Sequence, residues 1–263
     1  MDLELRDKLA LVTGSTAGIG HAIAVALARE GARVIINGRT AEAVDAAVAA
    51  VKASVGGTVL GFAGDLSAAP VAEALIRQYP AVDILVNNLG IYEVKSFEEI
   101  SDADWQRLFD VNVVSGARLA RLYLPPMRSR RWGRIIFISS ESAYQIPVEM
   151  IHYGVTKASQ IALARGLAEA TAGSGITVNT VLPGPTRSRG VEEFVGQMAA
   201  ASGKTPQAVE KEFFQTARPT SLIKRFATPE EVASLVAYVA SPLSSATTGA
   251  ALRVDGGVVK SAF

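Results

Sequence analysis

The stretch "KLALVTGSTAGIG", residues 8–20, sets a short apolar run directly against a turn that carries Gly14, Gly18 and Gly20. "LALV" is apolar at every position, as suits a strand buried on both faces, and the residues from Gly18 to Glu30 follow with helical period. Glycine at a strand-to-helix turn takes backbone angles closed to other residues and lets a ligand approach the main chain. The helix that opens there presents free N–H groups and the positive end of its dipole, so the junction suits a phosphate. A plain glycine turn would read the same way in isolation. The spacing is G-x-x-x-G-x-G, and its meaning depends on its surroundings.

Outward from this stretch the same alternation recurs. "ARVIING" precedes Ala41 to Ala53, "DILVNN" precedes a helical segment from Asp104 to Leu124 that ends at Pro125, and "RIIFISS" precedes Ile151 to Ala172. Val44, Val48, Val51 and Val55 form one apolar stripe on an alanine-rich helix, the mark of a core-facing side. The alternation is that of βαβ units. The expected fold class is α/β: a doubly wound, parallel, Rossmann-like sheet in a single domain over residues 1–263. Only the segment from Pro183 to about Thr228 departs from the pattern. It reads as an insertion, 183–228, serving as a substrate-binding loop or lid, with Phe194, Met198, Phe213 and Phe214 on an apolar underside.

A net charge of +1 and 19% charged residues leave no basic field for nucleic acid or an anionic membrane, so a small-molecule partner is expected. No apolar run reaches the length of a membrane span despite 49% hydrophobic residues. The opening "MDLELRDK" is charged where a signal peptide is apolar, and the chain has no cysteine, so a cytoplasmic protein is expected. His21 and His152 have no ligand spacing around them and read as surface or helix-end residues, with no metal. "RSRRWGR", residues 128–134, reads as a solvated edge.

In "HYGVTK", residues 152–157, Tyr153 and Lys157 stand four apart and share a helix face. A phenol of pKa ~10 poised near 7 needs roughly 3 units of anion stabilisation, about 4 kcal/mol. An ammonium about 4 Å away supplies a similar amount at an effective dielectric of ~20. Ser140 closes "RIIFISS" at the end of a strand, where ligands bind in open α/β sheets, and its hydroxyl suits a developing alkoxide. Ser139, one residue before it, points to the opposite face. Tyr144 has Val148, not lysine, four residues on. Asn112 falls on the inward stripe of Trp105, Phe109, Gly116, Leu119 and Tyr123, where an amide must find partners.

Together "TGSTAGIG", "NNLG" at 87–90, Ser140 thirteen residues before Tyr153, the Tyr153–Lys157 pair, "LPGPT" at 182–186 and "VDGG" at 254–257 resemble the short-chain dehydrogenase/reductase family across essentially the whole chain. Leu89 departs from the alanine usual in the Asn-Asn-Ala-Gly turn. The resemblance implies a nicotinamide-dependent oxidoreductase that interconverts a secondary alcohol and a carbonyl. It implies Tyr153 as proton donor, Ser140 as holder of the carbonyl oxygen, Lys157 as the group that orients the ribose and acidifies the phenol, and Asn112 as a link in a proton relay through a water on its backbone. It places the cofactor on Gly14, Ser15, Thr16, Gly18, Ile19 and Gly20, on Asp65 and Leu66 at the adenine, on Asn87 and Gly90, on Tyr153 and Lys157, and on Pro183, Gly184, Thr186 and Ser188. Two other readings are a dinucleotide-sensing regulator without chemistry and an epimerase or dehydratase.

The end of the second strand, "VIINGRT", bears on cofactor choice. An acidic residue there favours the ribose 2′-hydroxyl and repels a 2′-phosphate. This chain has Gly38 and then Arg39, a forked donor for phosphate, so NADP(H) is the expected cofactor and NAD(H) the second candidate. Val155, Ser159, Ala162 and Gly166 form a small, uncharged face opposite Tyr153 and Lys157. With the family's habit, that face predicts a homo-oligomer, a homotetramer in the first instance.

Overall fold

Seven strands form one sheet: β1 (Leu9–Val12), β2 (Arg33–Gly38), β3 (Val59–Ala63), β4 (Ile84–Asn87), β5 (Gly133–Ile138), β6 (Ile176–Pro183) and β7 (Ala251–Val254). Their order is β3-β2-β1-β4-β5-β6-β7, and every neighbouring pair is parallel. The chain therefore runs outward from β1 to β3, crosses back to β4 and continues to β7. The direction reverses between β1 and β4, which opens a crevice at the carboxyl ends of those strands. This computed structural model describes residues 2–262, apart from the side chains of Arg189 and Phe194.

Successive strand residues serve opposite faces. Val12, Ile36 and Ile136 pack with α1 (Gly18–Arg29), α2 (Ala41–Val55) and α9 (Pro229–Ala240). Leu11, Ile35 and Ile135 pack instead with α3 (Ala69–Gln78), α5 (Ser115–Arg130) and α6 (Ile151–Ala170). Every residue of β5 and β6 is buried, as the two-sided apolar runs lead one to expect. The valine stripe of α2 faces the core, with Val44 and Val51 fully inside.

Two expectations fail locally. The helical segment does not stop at Pro125: α4 (Asp102–Phe109), a π turn at Asp110–Val114 and α5 follow without a break, and α5 carries Pro125 and Pro126 inside it. Proline removes two helical donors there, but buried Leu119, Tyr123 and Met127 hold the turn to the sheet, and the Tyr123 hydroxyl donates to the Tyr79 carbonyl. The helix ends at Arg131, in the left-handed region. The π turn also shifts the inward face, so Leu108 is buried while Trp105 and Phe109 are half-buried. In "RSRRWGR" the edge is not wholly solvated. Arg134 is buried, donating to the Ser241 and Gly133 carbonyls beneath the Trp132 ring, and burial lowers its pKa to about 10.

The inserted segment forms α7 (Arg189–Ser202) and α8 (Pro206–Thr216) around a small apolar cluster of Val195, Ala199, Val209, Phe214 and Phe226. Phe214 is inside and Phe213 packs beside it, whereas Met198 is exposed and so does not belong to an underside. The Phe194 side chain lies outside the described residues. Among the described residues no helix is long and apolar enough to cross a membrane, and no cluster of acids and histidines has the arrangement of a metal site.

Candidate active site

The glycine turn is a cradle of main chain. Gly14 and Gly18 have φ of +60° and +57°, where side chains are strained. A Cβ on Gly20 would stand 2.5 Å from the Gly14 carbonyl oxygen and from Asn88 Nδ2, so the first turn of α1 closes onto the strand ends only with glycine there. Ala17 supplies no side-chain cap to α1, and no acid lies in its first turn. The first N–H groups of α1 are thus left to an anion, and the residues present fit a dinucleotide pyrophosphate.

Side chains around the turn mostly brace it. The Ser15 hydroxyl donates to Val12 and accepts from the Asn37 N–H, while Asn37 accepts from the Gly14 N–H and donates to the Phe62 and Gly64 carbonyls. The Thr16 methyl fills the space beside Gly38, 2.4 Å from where a Cβ would stand. Ile19 packs half-buried on the core, and Leu66 is buried, leaving a ligand only the main chain of Leu66. Arg39 and Asp65 are exposed at the neighbouring ends of β2 and β3. Hydrogen bonds from Ser67 hold the Asp65 carboxyl below the usual range, and Arg39 adds to that.

The Asn87 side chain is buried, has no hydrogen-bond partner among the described residues, and packs beside Gly116 of α5. Asn88 does the joining instead, donating to the Thr13 and Gly14 carbonyls at 2.9 and 3.0 Å. Thr13 Oγ1 accepts from the Asn88 and Leu89 N–H groups, which locks β1 to β4 at the switch point. Gly90 leaves room for Lys157, whose Nζ lies 3.3 Å from where a Cβ would be. Beyond β6, at Pro183, the chain turns through Gly184, where any Cβ would strike the Asp255 backbone. Thr186 donates to the Gly184 carbonyl, and Ser188, which caps α7, lies against Gly18.

Ser140, Tyr153, Lys157 and Asn112 converge across the crevice. Ser139 and Ser140 point apart as expected. The Ser139 hydroxyl bonds the Lys157 carbonyl at 2.7 Å and fastens α6 to β5, while Ser140 lines a cavity of about 320 Å³ together with Tyr92, Glu141, Tyr153, Phe213 and Arg218. Lys157 Nζ donates to the Ile138 carbonyl at 2.9 Å and to Gln160 Oε1 at 3.3 Å. Gln160 in turn donates to the Asn112 carbonyl at 2.6 Å. The backbone oxygen expected to carry a relay water is therefore bonded to a side chain, and Gln160 connects Asn112 to Lys157. The Asn112 amide is fully used by Ile91 and Thr156.

The electrostatics also differ from expectation. Lys157 Nζ lies 5.6 Å from the Tyr153 ring centroid and is bonded elsewhere. Burial, then the Glu141 carboxylate, holds the Tyr153 phenol above its ordinary range, with the Ser140 hydrogen bond opposing. Burial lowers Lys157 to about 8. Both shifts run toward the uncharged form, because a low-dielectric site penalises either charge, yet at neutral pH Lys157 is still mostly ammonium and Tyr153 a neutral phenol. His152 is likewise no surface residue. It is fully buried against Trp105, with no hydrogen-bond partner for either ring nitrogen among the described residues and Glu93 Oε2 3.9 Å from Nε2. His21 is half-buried, and burial lowers its pKa.

Sequence reasoning missed Asn88, Gln160 and the buried Glu141–Arg218 pair. Asn88 was visible as the second residue of "NNLG", and Gln160 lies one helical turn beyond Lys157. Nothing in the sequence joins Glu141 to Arg218, 77 positions away.

Residues 14–259 match the family described as "Enoyl-(Acyl carrier protein) reductase". The chain is 48% identical over its whole length to the "Uncharacterized oxidoreductase YvaG" of Bacillus subtilis (strain 168), all of which it covers. It is 34% identical to the D-beta-hydroxybutyrate dehydrogenase of Rhizobium meliloti (strain 1021), over 95% of this chain and 98% of that one. Its fold superposes with a TM-score of 0.94 on L-sorbose reductase from Gluconobacter frateurii complexed with NADPH and L-sorbose, at 31% identity over 99% and 100% of the two chains. The chain belongs to the short-chain dehydrogenase/reductase family. It is an oxidoreductase of that nicotinamide-dependent class.

Proposed function

We propose that this protein reduces ketones with NADPH, and that Tyr153, Ser140, Lys157 and Asn112 carry the reaction. The observation that carries this reading is the meeting, at one strand-end crevice, of a protonated phenol and a serine hydroxyl with a glycine cradle that suits a dinucleotide. The cradle would hold a reduced nicotinamide dinucleotide, which would supply hydride for the carbonyl carbon. Ser140 holds the carbonyl oxygen, and Tyr153 donates its hydroxyl proton to that oxygen as charge develops. Lys157, whose ammonium lies beside Gly90, would hold the ribose hydroxyls, and the Ile138 carbonyl and Gln160, itself anchored on the Asn112 carbonyl, keep that ammonium in place. The phenol's raised pKa keeps the proton it would donate in place through neutral pH. A sensor without chemistry would not need this assembly.

NADP(H) preference is supported by Arg39, exposed where a 2′-phosphate would lie, with Gly38 offering no carboxylate against it. Residues 183–228 act as the lid, since Ser188 already lies against Gly18 while Phe213 faces the cavity. The homotetramer is supported by α6, where Ala162 and Gly166 are exposed and Val155 and Ser159 half-exposed, a small-residue face open to a second copy. Light scattering at micromolar concentration tests it, and a monomer alone would count against it. The decisive test of the chemistry is Tyr153→Phe, expected to lower turnover with any accepted ketone by at least ~10²-fold while NADPH binding is retained. Near-unaltered turnover would remove Tyr153 from the mechanism.

A further inference from the structure

Glu141 follows Ser140 and has no part in the four-residue constellation. It is only 4% exposed, a rare state for glutamate unless paired. Its Oε2 accepts the Ser140 hydroxyl at 2.5 Å, and its Oε1 accepts from Arg218 Nε at 3.1 Å. Arg218 reaches in from beyond α8, and both residues line the cavity that holds Ser140 and Tyr153. Much of the remaining wall is apolar, with Val94, Met150, Pro185, Val191 and Phe226.

A serine hydroxyl has one proton to give. Here it goes to Glu141, and the Ser140 oxygen accepts from the Ser142 N–H at 3.1 Å. Ser140 can hold a substrate carbonyl only if that proton turns away from Glu141. The carboxylate then keeps Arg218 but loses a charge-assisted hydrogen bond inside a site with little water to replace it. A plain ketone returns nothing to it. A ketone with a hydroxyl on the adjacent carbon does: its carbonyl oxygen takes the Ser140 proton, and its hydroxyl donates to Glu141 Oε2. The two substrate oxygens then stand side by side, as Ser140 Oγ and Glu141 Oε2 do. An acidic substrate is opposed, because the carboxylates of Glu141 and Glu149 on the cavity wall outnumber Arg218.

We infer that Glu141, oriented by Arg218, is a specificity-determining residue that selects neutral α-hydroxyketones by accepting the hydroxyl beside the carbonyl that Ser140 holds. This rests on the reading of the chain as a ketone reductase.

Hydroxyacetone and butan-2-one differ by a hydroxyl in place of a methyl, so they isolate the contact. Their reduction is followed through NADPH absorbance with the full chain, with Glu141→Gln, and with Glu141→Leu combined with Arg218→Met, which removes both charges together. The unaltered protein is expected to favour hydroxyacetone in kcat/KM by about tenfold or more, as loss of a buried hydrogen bond to a charged group implies. In both variants that ratio falls, and the butan-2-one rate holds or rises because the hold on the Ser140 proton is weakened by glutamine and removed by leucine. NADPH titration by fluorescence checks the fold. Should the double variant fail to bind NADPH, the isosteric Glu141→Gln carries the same comparison. An unchanged ratio, or an equal loss on both ketones, overturns the role of Glu141. If the unaltered protein reduces butan-2-one as well as hydroxyacetone, the inference falls while the reductase reading stands. If neither these nor a wider panel of ketones consumes NADPH, the reductase reading falls and takes the inference with it.

Discussion

Around Gly14–Gly20 the ligand-facing surface is main chain: positive-φ glycines, an uncapped helix start, and side chains such as Ser15, Asn37 and Asn88 turned inward to brace the turn. Across the switch point, at Ser140 to Lys157, it is side chains, with a buried carboxylate, a half-buried tyrosine and a buried ammonium in one cavity and its floor. The first region works by leaving out volume, so it is sensitive to any added atom. The second works by placing protons, so it is sensitive to single polar atoms and to pH. Binding and turnover should therefore separate when the two regions are altered one at a time.

The largest expected effect is on the side-chain region. Ser140→Ala should lower kcat by ~10²–10³-fold, the usual loss for one donor at a developing oxyanion, and leave NADPH affinity intact. A parallel fall in cofactor affinity, read by titration, would break the separation. On the main-chain side Gly20→Ala should weaken NADPH at least ~tenfold and cost ~1–3 kcal/mol of stability in urea melts, because the Gly14 carbonyl oxygen and the Ser15 Cα, 2.5 and 2.9 Å from the new Cβ, cannot swing aside. Turnover at saturating cofactor should survive in that variant. Arg39→Ala should weaken NADPH by about tenfold at low salt and leave NADH unchanged, since one charge-assisted contact is lost. Equal losses for both cofactors would remove Arg39 from the 2′-phosphate site.

The smallest effect is the pH dependence. Lys157 titrates at about 8, below a free lysine, so its ammonium is lost as pH rises through that value, while the Tyr153 proton is kept to higher pH. Reductive kcat/KM should be flat through neutrality and fall by about half near pH 8, where Lys157 is half deprotonated. Lys157→Arg should move that limb upward, because guanidinium does not titrate there. A flat profile to pH 10 in the unaltered protein would show that the lysine charge is not needed for turnover.

Much of this was legible along the chain because it is local. Gly14, Gly18 and Gly20 are close neighbours, Tyr153 and Lys157 are one helical turn apart, and the two-sided apolar strands announced a covered parallel sheet. What was misread involved elements distant in sequence. Asn88 drew no role from the sequence, and only the packing of α5 against β4, which takes the Asn87 side chain, leaves Asn88 to the glycine turn. His152 looked exposed because nothing near it in sequence foretells Trp105 above its ring. The π turn at Asp110–Val114 redirected a face that a regular 3.6-residue period had assigned to Trp105 and Phe109.

The sequence by itself determined the class of fold, and it pointed to the glycine turn and to the phenol, hydroxyl and ammonium proposed for the chemistry, because each depends on backbone freedom or on residues within one turn or one strand. Only the tertiary structure decided their protonation and their company. It buried Lys157, set the Tyr153 phenol in a site that raises its pKa, bonded the Asn112 carbonyl to Gln160, and brought Arg218 across 77 positions to Glu141 beside Ser140. Burial and charge pairing are set by the distance between side chains in space, which no spacing along the chain records.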